Sequence, residues 1–177
     1  MSNETVSSSW EDHYEISAGG FTSWDYGSLA GTNINGSSIG TFIQQRYNFA
    51  PASDESAFLG ILTSTSSGRI HASTGADNSV NMISKALLQL GYHYNIWSTD
   101  IVPYIEGGYV AADTNIITSN EFKPFQSGFS VGGGVDYTLK NACFGKFGYN
   151  YCETPQKTGA NKTYTINDFI FGLGYRF

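Results

Sequence analysis

The last eleven residues, Asn167-Asp-Phe-Ile-Phe-Gly-Leu-Gly-Tyr-Arg-Phe177, alternate without a break. Phe169, Phe171, Leu173, Tyr175 and Phe177 share one parity; Asp168, Ile170, Gly172, Gly174 and Arg176 share the other. A strand sends successive side chains to opposite faces, so one face here is apolar and aromatic while the other carries charge and glycine. An apolar face of this kind has to be covered, either by a second protein layer or by lipid.

The same period recurs along the chain and predicts eight strands, over about residues 14–24, 39–47, 57–65, 82–94, 101–112, 128–137, 142–152 and 167–177. Outward faces read Tyr14, Ile16, Ala18 and Trp24; Thr41, Ile43 and Tyr47; Leu88, Leu90, Tyr92 and Tyr94; Ile105 and Tyr109; Phe129, Val131, Val135 and Tyr137; Phe147, Tyr149 and Tyr151. The face of the third strand is not resolved by its pattern. Links after strands two, four and six read as short, and those after one, three, five and seven as about a dozen residues. Short turns on one side and longer loops on the other are the plan of an outer-membrane barrel. Residues 1–12 are polar and patternless and read as an N-terminal tail, leaving 13–177 as one barrel domain.

Charge decides between water and lipid outside. Glu15, Glu106, Asp136 and Asp168 fall on inward faces with Arg46, Lys85, Lys146 and Arg176, a balanced set. Every other acid and base is placed in the tail, a loop or a turn. No charge is expected on an outward strand face, where Lys or Arg costs roughly 2–4 kcal/mol at the bilayer midplane. The fold class expected is therefore an all-β, eight-stranded antiparallel up-and-down transmembrane β-barrel, which leaves no unpaired edge in hydrocarbon.

Composition agrees. The mean hydropathy of −0.22 looks water-soluble, but alternation cancels in any window. Twelve Tyr, 12 Phe and 3 Trp supply interfacial girdles, and 21 Gly suit a crowded small barrel. A net charge of −6 with no basic patch argues against a nucleic-acid partner. Cys143 (outward) and Cys152 (inward) lie on one predicted strand, on the order of 30 Å apart, beyond disulfide reach. The chain start, Met1-Ser-Asn-Glu, lacks the regions of a signal peptide, so a signal is expected to have been removed and Met1 added.

The eight inward charges, Glu15, Arg46, Lys85, Glu106, Asp136, Lys146, Asp168 and Arg176, are expected to pair inside the barrel, because an eight-stranded interior is filled by side chains. Such pairs either plug and rigidify the lumen or re-form as a charge gate for small ions. Trp24, Asp25, Tyr26, Arg69, Lys123, Lys157 and Lys162 read as loop residues and are the binding candidates, with the cations placed for lipopolysaccharide phosphates. His13, His71 and His93 are too scattered for a metal site, and no pattern calls for a cofactor.

His71-Ala-Ser73 resembles the His-x-Ser spacing of the lipid A deacylase family, in which a His activates a Ser beside a carboxylate on a strand. Here the pair reads as part of a Gly/Ser/Thr loop, so catalysis is not expected from it. The terminal Phe177 after alternating aromatics resembles the C-terminal signature by which outer-membrane barrels are recognised by their assembly machinery. Gly40-Thr-Phe-Ile-Gln-Gln-Arg-Tyr47, Pro103-Tyr-Ile-Glu-Gly-Gly-Tyr109, Gly132-Gly-Gly-Val-Asp-Tyr137 and Gly172-Leu-Gly-Tyr-Arg-Phe177 resemble the OmpX/Ail and opacity-type families over the whole length. That resemblance implies an integral Gram-negative outer-membrane protein with both termini periplasmic. It implies lipopolysaccharide neighbours and, in some members, adhesion to host surfaces. The expectation is a monomeric, non-enzymatic surface protein; the alternatives are a lipid A-modifying enzyme and a narrow channel.

Overall fold

The computed structural model describes residues 13–29, 32–50, 55–72, 77–94, 100–116, 126–139, 142–155 and 163–177. Eight strands follow one another: β1 (Tyr14–Leu29), β2 (Thr32–Asn48), β3 (Ser56–Ala72), β4 (Asp77–His93), β5 (Ile101–Ile116), β6 (Gln126–Thr138), β7 (Cys143–Pro155) and β8 (Thr163–Arg176). Each pairs antiparallel with its neighbours, and β8 returns to β1 to close the barrel. A path across paired residues from Glu15 through Arg46, Gly60, Gln89, Gly108, Ser130, Cys152 and Ile166 returns to β1 at Asp25, ten residues beyond its start. For eight strands that stagger corresponds to a tilt of about 40°.

The expected parities hold on every strand whose face was assigned. Phe169, Phe171, Leu173, Tyr175 and Phe177 are exposed, as are Ile43, Leu88, Leu90, Ile105, Val131 and Phe147. On β3, where the pattern was ambiguous, Phe58, Leu62, Ser64 and Ser66 point inward and Leu59 and Ile61 outward. Both cysteines are free, Cys152 buried and Cys143 partly covered.

The strands are longer than expected, and this corrects three readings. The length asymmetry expected of the links is absent. Strand bounds leave residues 30–31, 73–76, 117–125 and 156–162 between strands at one end, and 49–55, 94–100 and 139–142 at the other. Trp24, Asp25, Tyr26 and Arg69 lie within β1 and β3 rather than in loops. Outward strand faces also carry charge, at exposed Arg69 and partly covered Glu153. The physical reason is reach: a tilted 17-residue strand rises about 40 Å, well past an apolar band about 25 Å tall. Polar Ser, Thr and Asn at the upper ends alternate as well as apolar residues do and satisfy the ladder equally, so strands continue where composition alone suggests loop.

At the end carrying the termini, strands stop at an aromatic ring that includes Tyr14, Tyr47, Tyr92, Tyr94, Tyr137, Tyr175 and Phe177. Tyr14 and Tyr47 pack edge-to-face at 5.2 Å, and Tyr175 and Phe177 at 5.0 Å. The overshoot is therefore all at the opposite end.

Candidate functional site

Glu15, Arg46, Glu106, Asp136, Lys146 and Arg176 meet in the lumen close to the termini. Register brings three opposite-charge pairs side by side: Glu15 opposes Arg46 on β2 and Arg176 on β8, and Asp136 opposes Lys146. Inward parity on neighbouring strands is all this requires, and cross-strand neighbours of opposite charge stabilise such pairings.

Arg46 is the hub. Its Nη2 donates to Glu106 Oε2 at 3.1 Å, its Nη1 donates to Asp136 Oδ2 at 2.9 Å, and Glu15 Oε2 lies 3.8 Å away. The guanidinium sits between the rings of Phe58 and Tyr104, 4.4 and 4.2 Å from their centroids. Nη1 also lies 3.1 Å from His93 Nε2. Lys146 Nζ donates to Asp136 Oδ1 at 2.8 Å, and Arg176 Nε donates to Glu15 Oε1 at 2.8 Å. Three carboxylates thus face three cations, so the buried charges compensate one another.

An amide layer continues the cluster into the barrel. Gln44 Nε2 donates to Gln89 Oε1, and Gln89 Nε2 to Glu106 Oε1, both at 2.7 Å. With its amide nitrogen turned to Glu106, Asn150 donates to the same Oε1 at 2.9 Å. Beyond the amides lies an apolar layer of Phe21, Phe42, Leu62, Leu87, Val110, Cys152, Ile166 and Ile170, each at most 3% exposed. Lys85 and Asp168 do not join the Arg46 cluster; they pair with each other farther along the lumen.

Glu15, His93 and Asp136 offer ligand atoms within 4.8 Å of one another, a spacing a metal would accept. Arg46 Nη1 contacts all three side chains, so the chain supplies its own cation there. Gln44, Gln89, Tyr104, Asn150 and His93 complete the cluster, and sequence reasoning had not joined them to it. Their signal was available: each is a polar or aromatic residue of inward parity within two register rows of an inward charge.

The other candidates are scattered. Trp24 and Tyr26 are exposed on β1, Trp24 packing edge-to-face on Phe169 at 5.3 Å. Lys123, Lys157 and Lys162 lie outside the described residues, as do residues 1–12. Ser73 does too. His71 belongs to β3 and its backbone stands opposite Asp77 of β4, so it is not the loop residue expected. Of the other two histidines, His13 Nδ1 lies 2.6 Å from the Asn48 carbonyl and His93 contacts Arg46.

Comparison with known proteins agrees with this architecture. The family model described as "Outer membrane protein beta-barrel domain" matches residues 4–177. No curated protein sequence is significantly similar to the chain. Among solved structures, OprG from Pseudomonas aeruginosa superposes with a TM-score of 0.63 at 16% identity, over 93% of this chain and 96% of OprG. Neisserial surface protein A gives 0.62 at 14% identity, over 93% and 97% of the two chains. Ail, the attachment invasion locus protein of Yersinia pestis, gives 0.54 at 17% identity, over 93% and 99%. At these identities the likeness is one of fold.

Proposed function

The chain belongs to the outer membrane protein β-barrel domain family, and from that premise we propose that it is a non-enzymatic surface barrel whose overshooting strand ends and far links carry its contacts outside the cell. The reading has the termini in the periplasm. Its support is the asymmetry of the strands, which stop at the aromatic ring near the termini and project past the membrane at the other end. In this reading the C-terminal strand is the segment that the assembly machinery recognises. The barrel acts as a monomer among lipopolysaccharide molecules. An adhesive role fits the projecting end, and one Ail structure holds the heparin analogue sucrose octasulfate.

One observation favours a closed, structural barrel over a channel: beyond the Arg46 cluster, buried apolar side chains from Phe21 to Ile170 fill the lumen around the Lys85–Asp168 pair. An ion crossing it would shed water among apolar side chains and meet only an ammonium and a carboxylate already paired with each other. The test is conductance of the purified barrel in planar bilayers. Silence is expected from the native chain, and steady openings that shift with Glu106→Gln would sink the closed-barrel reading.

The backbone register that sets His71 opposite Asp77 favours a second reading, a lipid A esterase that draws on His71, Ser73 and Asp77. Lipid A from cells expressing the native chain, analysed by mass spectrometry, decides it. An acyl chain lost with the native protein and retained with His71→Ala would replace the non-enzymatic reading.

A further inference from the structure

The barrel's exterior is two-faced. Around β5–β8 and β1, exposed aromatics climb most of its height: Tyr109, Phe129, Tyr149, Phe169, Phe171 and Trp24. On β2–β4 no outward aromatic stands above Tyr47 and Tyr92 among the described side chains. What replaces them is graded. The outward side of β3 reads Leu59, Ile61, Thr63, Thr65, Ser67 and Arg69, from apolar through hydroxyl to guanidinium. The neighbouring strands follow at Thr41 opposite Thr65, Ser37 opposite Arg69 and Ser84 opposite Thr65, with exposed Ile39 standing opposite Ser67.

We infer that this face of β2–β4 is a binding site for one phosphorylated, multiply acylated lipid of the outer leaflet, lipid A, with Arg69 on a phosphate. Three observations carry the assignment. Thr41, Thr63 and Thr65 are exposed on the outward side and make no side-chain hydrogen bond among the described residues. Hydroxyls facing plain hydrocarbon forgo their partners, whereas the ester, amide and hydroxyl groups that link lipid A acyl chains to its sugar supply them. A depression of about 280 Å³, bordered by Thr41, Ile43, Thr63, Thr65 and Ser84, lies among these hydroxyls and admits an acyl segment. Above it, Arg69 is exposed and has no ion pair among the described residues, and guanidinium to phosphate is a charge-assisted pairing. Ile61, Ile43 and Leu88 continue the face downward for the chains.

The site rests on the proposed orientation, which puts Arg69 in the outer leaflet. Its test is native mass spectrometry of the folded, full-length barrel in detergent, titrated separately with bis-phosphorylated lipid A, dephosphorylated lipid A and phosphatidylglycerol. One bis-phosphorylated lipid A is expected to be retained about ten-fold more strongly by the native chain than by Arg69→Gln. Thr63→Val with Thr65→Val is expected to weaken dephosphorylated lipid A as well, and Tyr109→Phe on the aromatic side to change neither. The unboiled gel shift of each variant establishes that it is folded. Equal retention by the native chain and Arg69→Gln, or phosphatidylglycerol held as strongly as lipid A, would overturn the site. Conductance is untouched by either result, so failure of this site and failure of the closed-barrel reading are told apart.

Discussion

Arg46 and Asp136 stand 90 residues apart in the chain and meet at 2.9 Å in the lumen, both almost wholly shielded from solvent. No local pattern links them; closure of the barrel does. Because Arg46 also holds Glu15 and Glu106, removing it leaves three carboxylates with two remaining cations in a dry interior. Arg46→Met is expected to cost about 3–5 kcal/mol, the scale for breaking a buried pair from one side. The measurement is the urea midpoint of folding into lipid vesicles. Arg46→Met with Asp136→Asn should recover part of the loss, and a single variant as stable as the native chain would show that the cluster is ornamental.

Two adjacent glycines separate backbone crowding from mere composition. A Cβ on Gly108 would collide with the Leu88 carbonyl across the β4–β5 ladder, whereas the nearest atom to a Cβ on Gly107 is 3.7 Å away. Gly108→Ala is therefore expected to slow or abolish the heat-modifiable gel shift of the folded barrel, and Gly107→Ala to leave it intact. Equal behaviour of the two would count against the register given for β4 and β5.

The cysteines report which wall faces which way. Cys152 is fully buried in the apolar layer, and Cys143 is partly exposed at the start of β7. A bulky maleimide should add once to the folded barrel, at Cys143, and twice to the unfolded chain. Double labelling of the folded protein would mean that the lumen is open where the side chains are said to fill it.

Leu173 is 68% exposed between Phe171 and Tyr175. In lipid, Leu173→Arg is expected to destabilise by about 1 kcal/mol, because it stands one outward position above Tyr175 of the aromatic ring and the cost falls from roughly 2–4 kcal/mol at the midplane toward zero at the interface. In a water-soluble barrel the same change would cost almost nothing. Folding equilibria in vesicles measure the difference directly.

The sequence alone was enough for the barrel, its strand number and the side of each assigned strand that meets lipid. Period-2 alternation is a local property, and Phe169 through Phe177 carry it in neighbouring residues. It was also enough to place Glu15, Arg46, Glu106, Asp136, Lys146 and Arg176 inward, since parity assigns each one separately. Only the closed structure decided which of them touch, because the ten-residue stagger sets Arg46 against Asp136 and sends Lys85 to Asp168 among the apolar side chains. Strand length was likewise hidden. Ser37, Ser67 and Arg69 look like loop in a list of residues, yet each is held in a strand by backbone bonds to neighbours far away in the chain. The graded face they form exists only once three strands lie side by side.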